Sequence, residues 1–256
     1  MSRNFDLMQE MERVQALSSR ETVEAAFPVP GKYDNLSQRA PLAGDRQHRW
    51  ADDGTLRLVQ QVFLLQTQEP PRMVVFAGID HGNGCSQMAL SVAETLAGNA
   101  RGDVCLVEAN FRSPALPGMV GTTNHHGLTN DLLQEEPIRS FVKLVPNSGL
   151  WLLSSGSLAA DSPNLLSSER LNARVAELRR EFEFVIVDAP PLTRYADAIS
   201  LGQLSDGIVL VLEAESTRRE AALMAVENLR SSGIQILGAI LNKRTFPIPE
   251  KIYSRL

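Results

Sequence analysis

Three stretches of this chain are apolar almost without interruption: "FVIVDAPP" (184–191), "GIVLVLEA" (207–214) and "ILGAILN" (236–242). Strands that alternate apolar and polar residues leave one face to water, whereas unbroken runs fit strands covered on both faces. "MVVFAG" (73–78) and "DVCLVEA" (103–109) read the same way, and "SFVKLV" (140–145) and "LWLLSSG" (150–156) are shorter strand candidates. Between them the period changes. Residues 85–99 place Met88, Val92 and Leu96 on one helical face, 127–134 predicts a short helix, and 167–182 a helix that serine can cap. Further helices fit 195–204 and 217–232. Strands alternating with helices predict an α/β fold: a doubly wound, mostly parallel sheet flanked by helices.

Ahead of this core, 55–67 fits one more helix, and Leu7, Met11 and Val14 mark an amphipathic helix over 3–18. Proline, glycine and polar residues dominate 27–54, which reads as a linker. The expected organisation is an N-terminal helix and linker (1–54), one α/β domain (55–246) and a short tail (247–256). Composition agrees with a soluble globular protein, at 43% hydrophobic and 21% charged residues. A net charge of −5 offers no basic surface for nucleic acid. Two cysteines cannot make a disulfide framework, and no apolar run is long enough for a signal peptide core or a membrane span. The expected location is the cytoplasm, at the inner face of the membrane only if a partner holds the chain there.

Candidate chemistry gathers at the ends of the predicted strands. "GIDHGNGCSQ" (78–87) follows a strand and opens a helix, the context in which a glycine-rich turn directs backbone N–H groups onto phosphate oxygens. Gly82, Asn83, Gly84, Cys85, Ser86 and Gln87 would line such a cradle, with Ser86 placed to hold magnesium. Asp188 ends the "FVIVDAPP" strand, where open α/β sheets bind ligands, and could hold a magnesium-bound water. Glu108 and Asn110 end one neighbouring strand and Asn242 another. Taken singly, each of these three fits a turn cap better than a ligand.

The series "GNGCS", "VCLVEANFRSP", "HGLTNDLLQ", "LWLLSSGS", "SPNLLSSERL", "FEFVIVDAPPLTRYADAISLGQLSDGIVLVLEAESTRRE" and "ILGAILNKR" resembles, in order and spacing over 55–245, the cytoplasmic domain of bacterial tyrosine autokinases. These belong to capsular and exopolysaccharide biosynthesis, within the MinD/ParA-type P-loop fold. The resemblance implies ATP or ADP with magnesium as cofactor, held by Ser86, Glu108 and Asp188, the last two catalytic if the protein is active. It also implies a membrane-embedded polysaccharide co-polymerase as partner, and homo-oligomer contacts through the 55–67 helix.

This chain departs from the family pattern where the chemistry lies. Cys85 stands at the position of the loop lysine, Glu108 and Asn110 replace two aspartates, and Tyr253 alone remains of a tyrosine-rich tail. In the assembly helix, Arg57 matches one arginine, Gln60 replaces the other, and the acidic position falls on Gly54 beside Asp53. The expected function is therefore a weakly nucleotide-binding regulator or scaffold for the co-polymerase. One alternative is a residually active tyrosine autokinase. Another is a MinD/ParA-type positioning ATPase, disfavoured because that group's signature lysine falls at Asp80. Cys85 could instead be a reactive thiol at a helix N-terminus. His81, His125 and His126 have no zinc spacing.

Overall fold

The computed structural model describes residues 54–64, 70–157 and 169–244. The expected helix at 3–18, most of the linker, the serines at 167–168 and the tail with Tyr253 lie outside the described residues. The chain divides into two units between Gly54 and Thr55, and the sheet and the predicted site residues all belong to the unit that begins at Thr55.

Seven strands form one sheet: β1 (Met73–Gly78), β2 (Val104–Glu108), β3 (Lys143–Leu144), β4 (Leu150–Leu153), β5 (Phe184–Ala189), β6 (Gly207–Glu213) and β7 (Ile236–Asn242). Their order is β3-β4-β2-β5-β1-β6-β7. All neighbours run parallel except β3, which pairs antiparallel with β4 at the edge. The helices are α1 (Cys85–Asn99), α2 (Leu116–Met119), α3 (Leu128–Leu133), α4 (Glu169–Glu181), α5 (Asp197–Gln203) and α6 (Arg219–Ser231). This is the mostly parallel α/β sheet that the unbroken apolar runs predict. β1, β2 and β5 are buried at every residue, as strands between two helical layers must be.

Two strands differ from expectation. β3 keeps only two residues, because Ile138–Ser140 turns as a 3₁₀-helix directly after Pro137 and uses up the start of "SFVKLV". β7 has the expected length, yet each of its residues is only partly buried. It is the outermost strand, with β6 on one side alone, so composition resembling a central strand does not make it one.

Residues 54–59 are helical and run into a π-helical turn, Gln60–Leu64. Val59, Val62 and Phe63 are buried in the same apolar cluster as Val92, Leu96 and Ile186. Phe63 meets the Phe184 ring edge-on at 5.8 Å. Arg57, Gln60 and Gln61 are exposed on the other side. The helix therefore packs on its own domain and leaves a polar face outward.

Candidate functional site

Because β1, β2, β5, β6 and β7 run parallel, their carboxyl ends share one edge of the sheet, and every predicted site residue lies along it. The loop from β1 to α1 is shaped by two glycines in the left-handed region, Gly82 at φ 86° and Gly84 at φ 80°. A Cβ on Gly84 would come within 2.4 Å of Asn242 Nδ2, so position 84 requires glycine for space as well as for φ. Asn83 is buried, and its side chain holds the loop rather than facing a ligand. Its Oδ1 accepts the Asp80 N–H at 2.7 Å and its Nδ2 donates to Thr217 Oγ1 at 3.2 Å. Asn242 Nδ2 donates to the Asn83 carbonyl at 2.8 Å, fastening β7 to the same loop. On the opposite flank the Thr193 hydroxyl lies 2.9 Å from both the Ile79 carbonyl and Asp80 Oδ1.

α1 starts at Cys85 with no side-chain cap on its first turn. The first N–H groups of a helix have no acceptor within it, and the helix dipole adds positive charge there. Gln87 is exposed on that turn, while Cys85 and Ser86 are partly buried. Cys85 as a residue reaches the surface, but its sulfur turns inward beside Asp188 and Gly78 and packs against the core. Burial first, and the Asp188 charge second, push the Cys85 thiol well above its ordinary pKa. This corrects the alternative of a reactive thiol, which needs the opposite shift.

Asp188 is 1% exposed, and neither carboxylate oxygen has a hydrogen-bond partner of good geometry. Its pKa rises to about 7, chiefly through burial; the neighbouring Ser86 hydroxyl and Cys85 thiol lower it, and the charge of Glu108 raises it. An orphaned buried carboxylate beside a serine hydroxyl, at the uncapped start of a helix, fits magnesium and phosphate. When bound, a magnesium nucleotide would supply the cation that neutralises this carboxylate and the anion that occupies the free amides.

Glu108 pairs with Asp188 across adjacent strands but is committed elsewhere. Its Oε1 accepts the N–H groups of Ala115 and Leu116 at 2.6 and 2.8 Å, and its Oε2 that of Ser155 at 3.1 Å. Fully buried, it caps α2 and ties β4 to β2. Glu108→Ala is expected to lower unfolding free energy by about 3 kcal/mol in urea denaturation, because it strands three backbone donors, two of them buried; Glu108→Gln should lose less. Asn110 is buried, and its carbonyl accepts the Ser113 N–H in the turn after β2.

The chain is 33% identical over 161 residues to the tyrosine-protein kinase YwqD of Bacillus subtilis, covering 63% of this chain and 68% of that protein. It belongs to the bacterial tyrosine-protein kinase family. It is also 29% identical over 177 residues to the succinoglycan biosynthesis transport protein ExoP of Rhizobium meliloti, covering 67% of this chain and 22% of ExoP. The kinase domain of the Escherichia coli tyrosine kinase ETK superposes with a TM-score of 0.72 over 77% of this chain and 78% of that one, at 20% identity, a likeness of fold. No protein-family model matches. Among the described residues, no helix is long and apolar enough to cross a membrane.

Within this tyrosine-kinase fold, several contacts at the site escape a reading of motifs. Thr217 anchors Asn83 from near the end of the β6–α6 connection and also accepts the Glu213 N–H at 2.8 Å. Arg112 pairs with Asp197 and stacks over the Tyr195 ring at 4.0 Å, joining the turns after β2 and β5. Lys243 Nζ donates to the Gly82 carbonyl at 2.6 Å.

Proposed function

We propose that this family member is a degenerate kinase-like protein of exopolysaccharide or capsule biosynthesis, one that binds adenine nucleotide weakly and serves as regulator or scaffold. The observation that carries this reading is the inward Cys85 sulfur at the loop position where the family has lysine. Ser86 and Asp188 remain as the magnesium pair, and the amides from Gly84 to Gln87 remain as the cradle. Glu108 and the Asn83 side chain serve the fold. Such a site keeps binding and loses charge stabilisation in the transition state.

Calorimetry of the full chain with Mg-ADP and Mg-ATP tests it. The expected result is measurable but weak binding, at least about tenfold weaker than for a Cys85→Lys variant. Absence of binding at millimolar nucleotide would leave the chain a scaffold without a nucleotide. A residually active autokinase is the second reading, favoured by the adjacency of Ser86 and Asp188. A positioning ATPase has no such support, since Asp80, at its signature lysine, is engaged by Thr193.

The partner we infer is the cytoplasmic segment of a membrane-embedded polysaccharide co-polymerase, which would bring this chain to the inner face of the membrane. The similarity to one stretch of ExoP supports it, because that stretch sits within a longer transport protein. Self-association through the helix expected at 55–67, whose residues beyond Leu64 lie outside those described, would use exposed Arg57, with Gln60 unable to make the bidentate contact of an arginine. Sedimentation of the free protein should show at most weak association, abolished by Arg57→Ala. A dimer unaffected by Arg57→Ala would place the interface elsewhere.

A further inference from the structure

Two side chains from the end of β7 hold the loop after β1 by its carbonyls. Lys243 Nζ donates to the Gly82 carbonyl at 2.6 Å, and Asn242 Nδ2 to the Asn83 carbonyl at 2.8 Å. In a trans peptide the N–H opposes the carbonyl, so the N–H groups of Asn83 and Gly84 turn to the other face of the loop. Neither finds an acceptor among the described residues. Between the left-handed glycines 82 and 84 the backbone has little steric preference of its own, so its shape depends on what pins it. The buried pin is the Asn83 side chain. It lies against the end of β1, with its Oδ1 3.1 Å from where a Cβ on Gly78 would stand. Oδ1 closes the turn onto the Asp80 N–H, and Nδ2 donates to Thr217 Oγ1. Thr217 is buried and fixed from elsewhere. Its N–H donates to the Glu213 carbonyl at 3.0 Å, and its hydroxyl accepts the Glu213 N–H at 2.8 Å, which locks the β6–α6 connection onto the end of β6. A hydroxyl oxygen has two acceptor sites, and Asn83 and Glu213 take both.

We propose that Thr217 is a positioning residue for anion binding: through the Asn83 side chain it sets the peptide planes of the loop, and so aims the loop N–H groups at the phosphates of a nucleoside diphosphate or triphosphate. This rests on the nucleotide reading above and deepens it. Thr217 itself faces no ligand and acts through Asn83. Thr217→Val keeps the shape of the side chain and removes the acceptor, leaving Asn83 Nδ2 buried without a partner. A buried amide in that state turns to recover a hydrogen bond, and the peptide planes beside it turn with it. Ser86 and Asp188 stand on α1 and β5 and keep their places, so the effect falls on the loop amides and spares the magnesium pair.

The test measures displacement of a fluorescent ADP analogue from the full chain by Mg-ADP, with thermal melting of each variant in the absence of nucleotide. Thr217→Val should weaken Mg-ADP by roughly tenfold, the weight of one buried hydrogen bond left unmade. Thr217→Ala removes the same acceptor and should match it, while Thr217→Ser should restore affinity to within about twofold. Asn83→Ala should weaken Mg-ADP at least as much as Thr217→Val. The double variant should bind no more weakly than Asn83→Ala alone, because the hydroxyl then has no loop amide left to hold. A lowered melting temperature with unchanged Mg-ADP affinity in Thr217→Val and Thr217→Ala would make the residue a strut of the β6–α6 connection and overturn the proposal. A further loss of the same size on adding Thr217→Val to Asn83→Ala would show a route other than Asn83 and overturn it equally. Either result would leave the nucleotide site intact. No displaceable binding in the unmodified protein would sink this proposal and the nucleotide reading together.

Discussion

Cys85→Lys is expected to raise phosphoryl transfer from Mg-ATP by about 100- to 1000-fold over the unmodified chain, and to tighten ATP binding. A lysine at the loop neutralises charge as it builds on the transferring phosphate, and one such contact is worth on the order of 3–4 kcal/mol. The structure provides for the substitution. Position 85 is partly exposed, so a longer side chain can leave the pocket beside Asp188 and reach over the cradle. The loop backbone should not move, since Gly82, Gly84 and the Asn83 anchors are independent of the residue at 85. Radiolabel transfer and calorimetry on both proteins check this. No gain in either would mean that the loop has lost more than its lysine.

In metal-free buffer with chelator, Asp188→Asn should stabilise the protein clearly more at pH 8 than at pH 5. Folded Asp188 titrates near 7 against 3.8 for an ordinary aspartate, mainly because burial disfavours its charge. The folded state therefore holds a proton that the unfolded chain has released. Stability from this group is fully present below about pH 4 and is lost as pH rises through about 7. A gap of about three units corresponds to up to about 4 kcal/mol. Asp131, also raised to about 7 by burial, slopes the same way but is common to both proteins, so the difference isolates Asp188. Urea unfolding at the two pH values decides. An equal loss at both would show that Asp188 is held as a charged, satisfied carboxylate.

The sheet was legible because burial leaves a simple mark: β1, β5 and β6 are apolar runs whose ends the structure reproduces to within two residues. β7 carries the same mark without the same burial, since an apolar run does not say whether a second strand lies beyond it. "SFVKLV" has strand composition yet overstates β3, because Pro137 sets a turn that consumes its start. At the site, Gly84 and Asp188 could be placed from strand ends and glycine spacing. The duties of Glu108 and Asn83 could not. Both depend on partners distant in sequence, Ser155 and Thr217, and a carboxylate or amide at a strand end reads the same whether it caps a turn or faces a ligand. Lys243 was hidden for a related reason. Its reach to Gly82 spans 161 positions and follows from one left-handed residue.

Whether this family member is degenerate is decided by phosphate incorporation into tyrosine of the unmodified chain, incubated with magnesium and γ-labelled ATP beside its Cys85→Lys variant. A degenerate site predicts no label above background, or a rate at least about a hundredfold below the variant's. Robust tyrosine labelling of the unmodified chain, matching or exceeding the variant, would contradict it and make this protein a working kinase without the loop lysine.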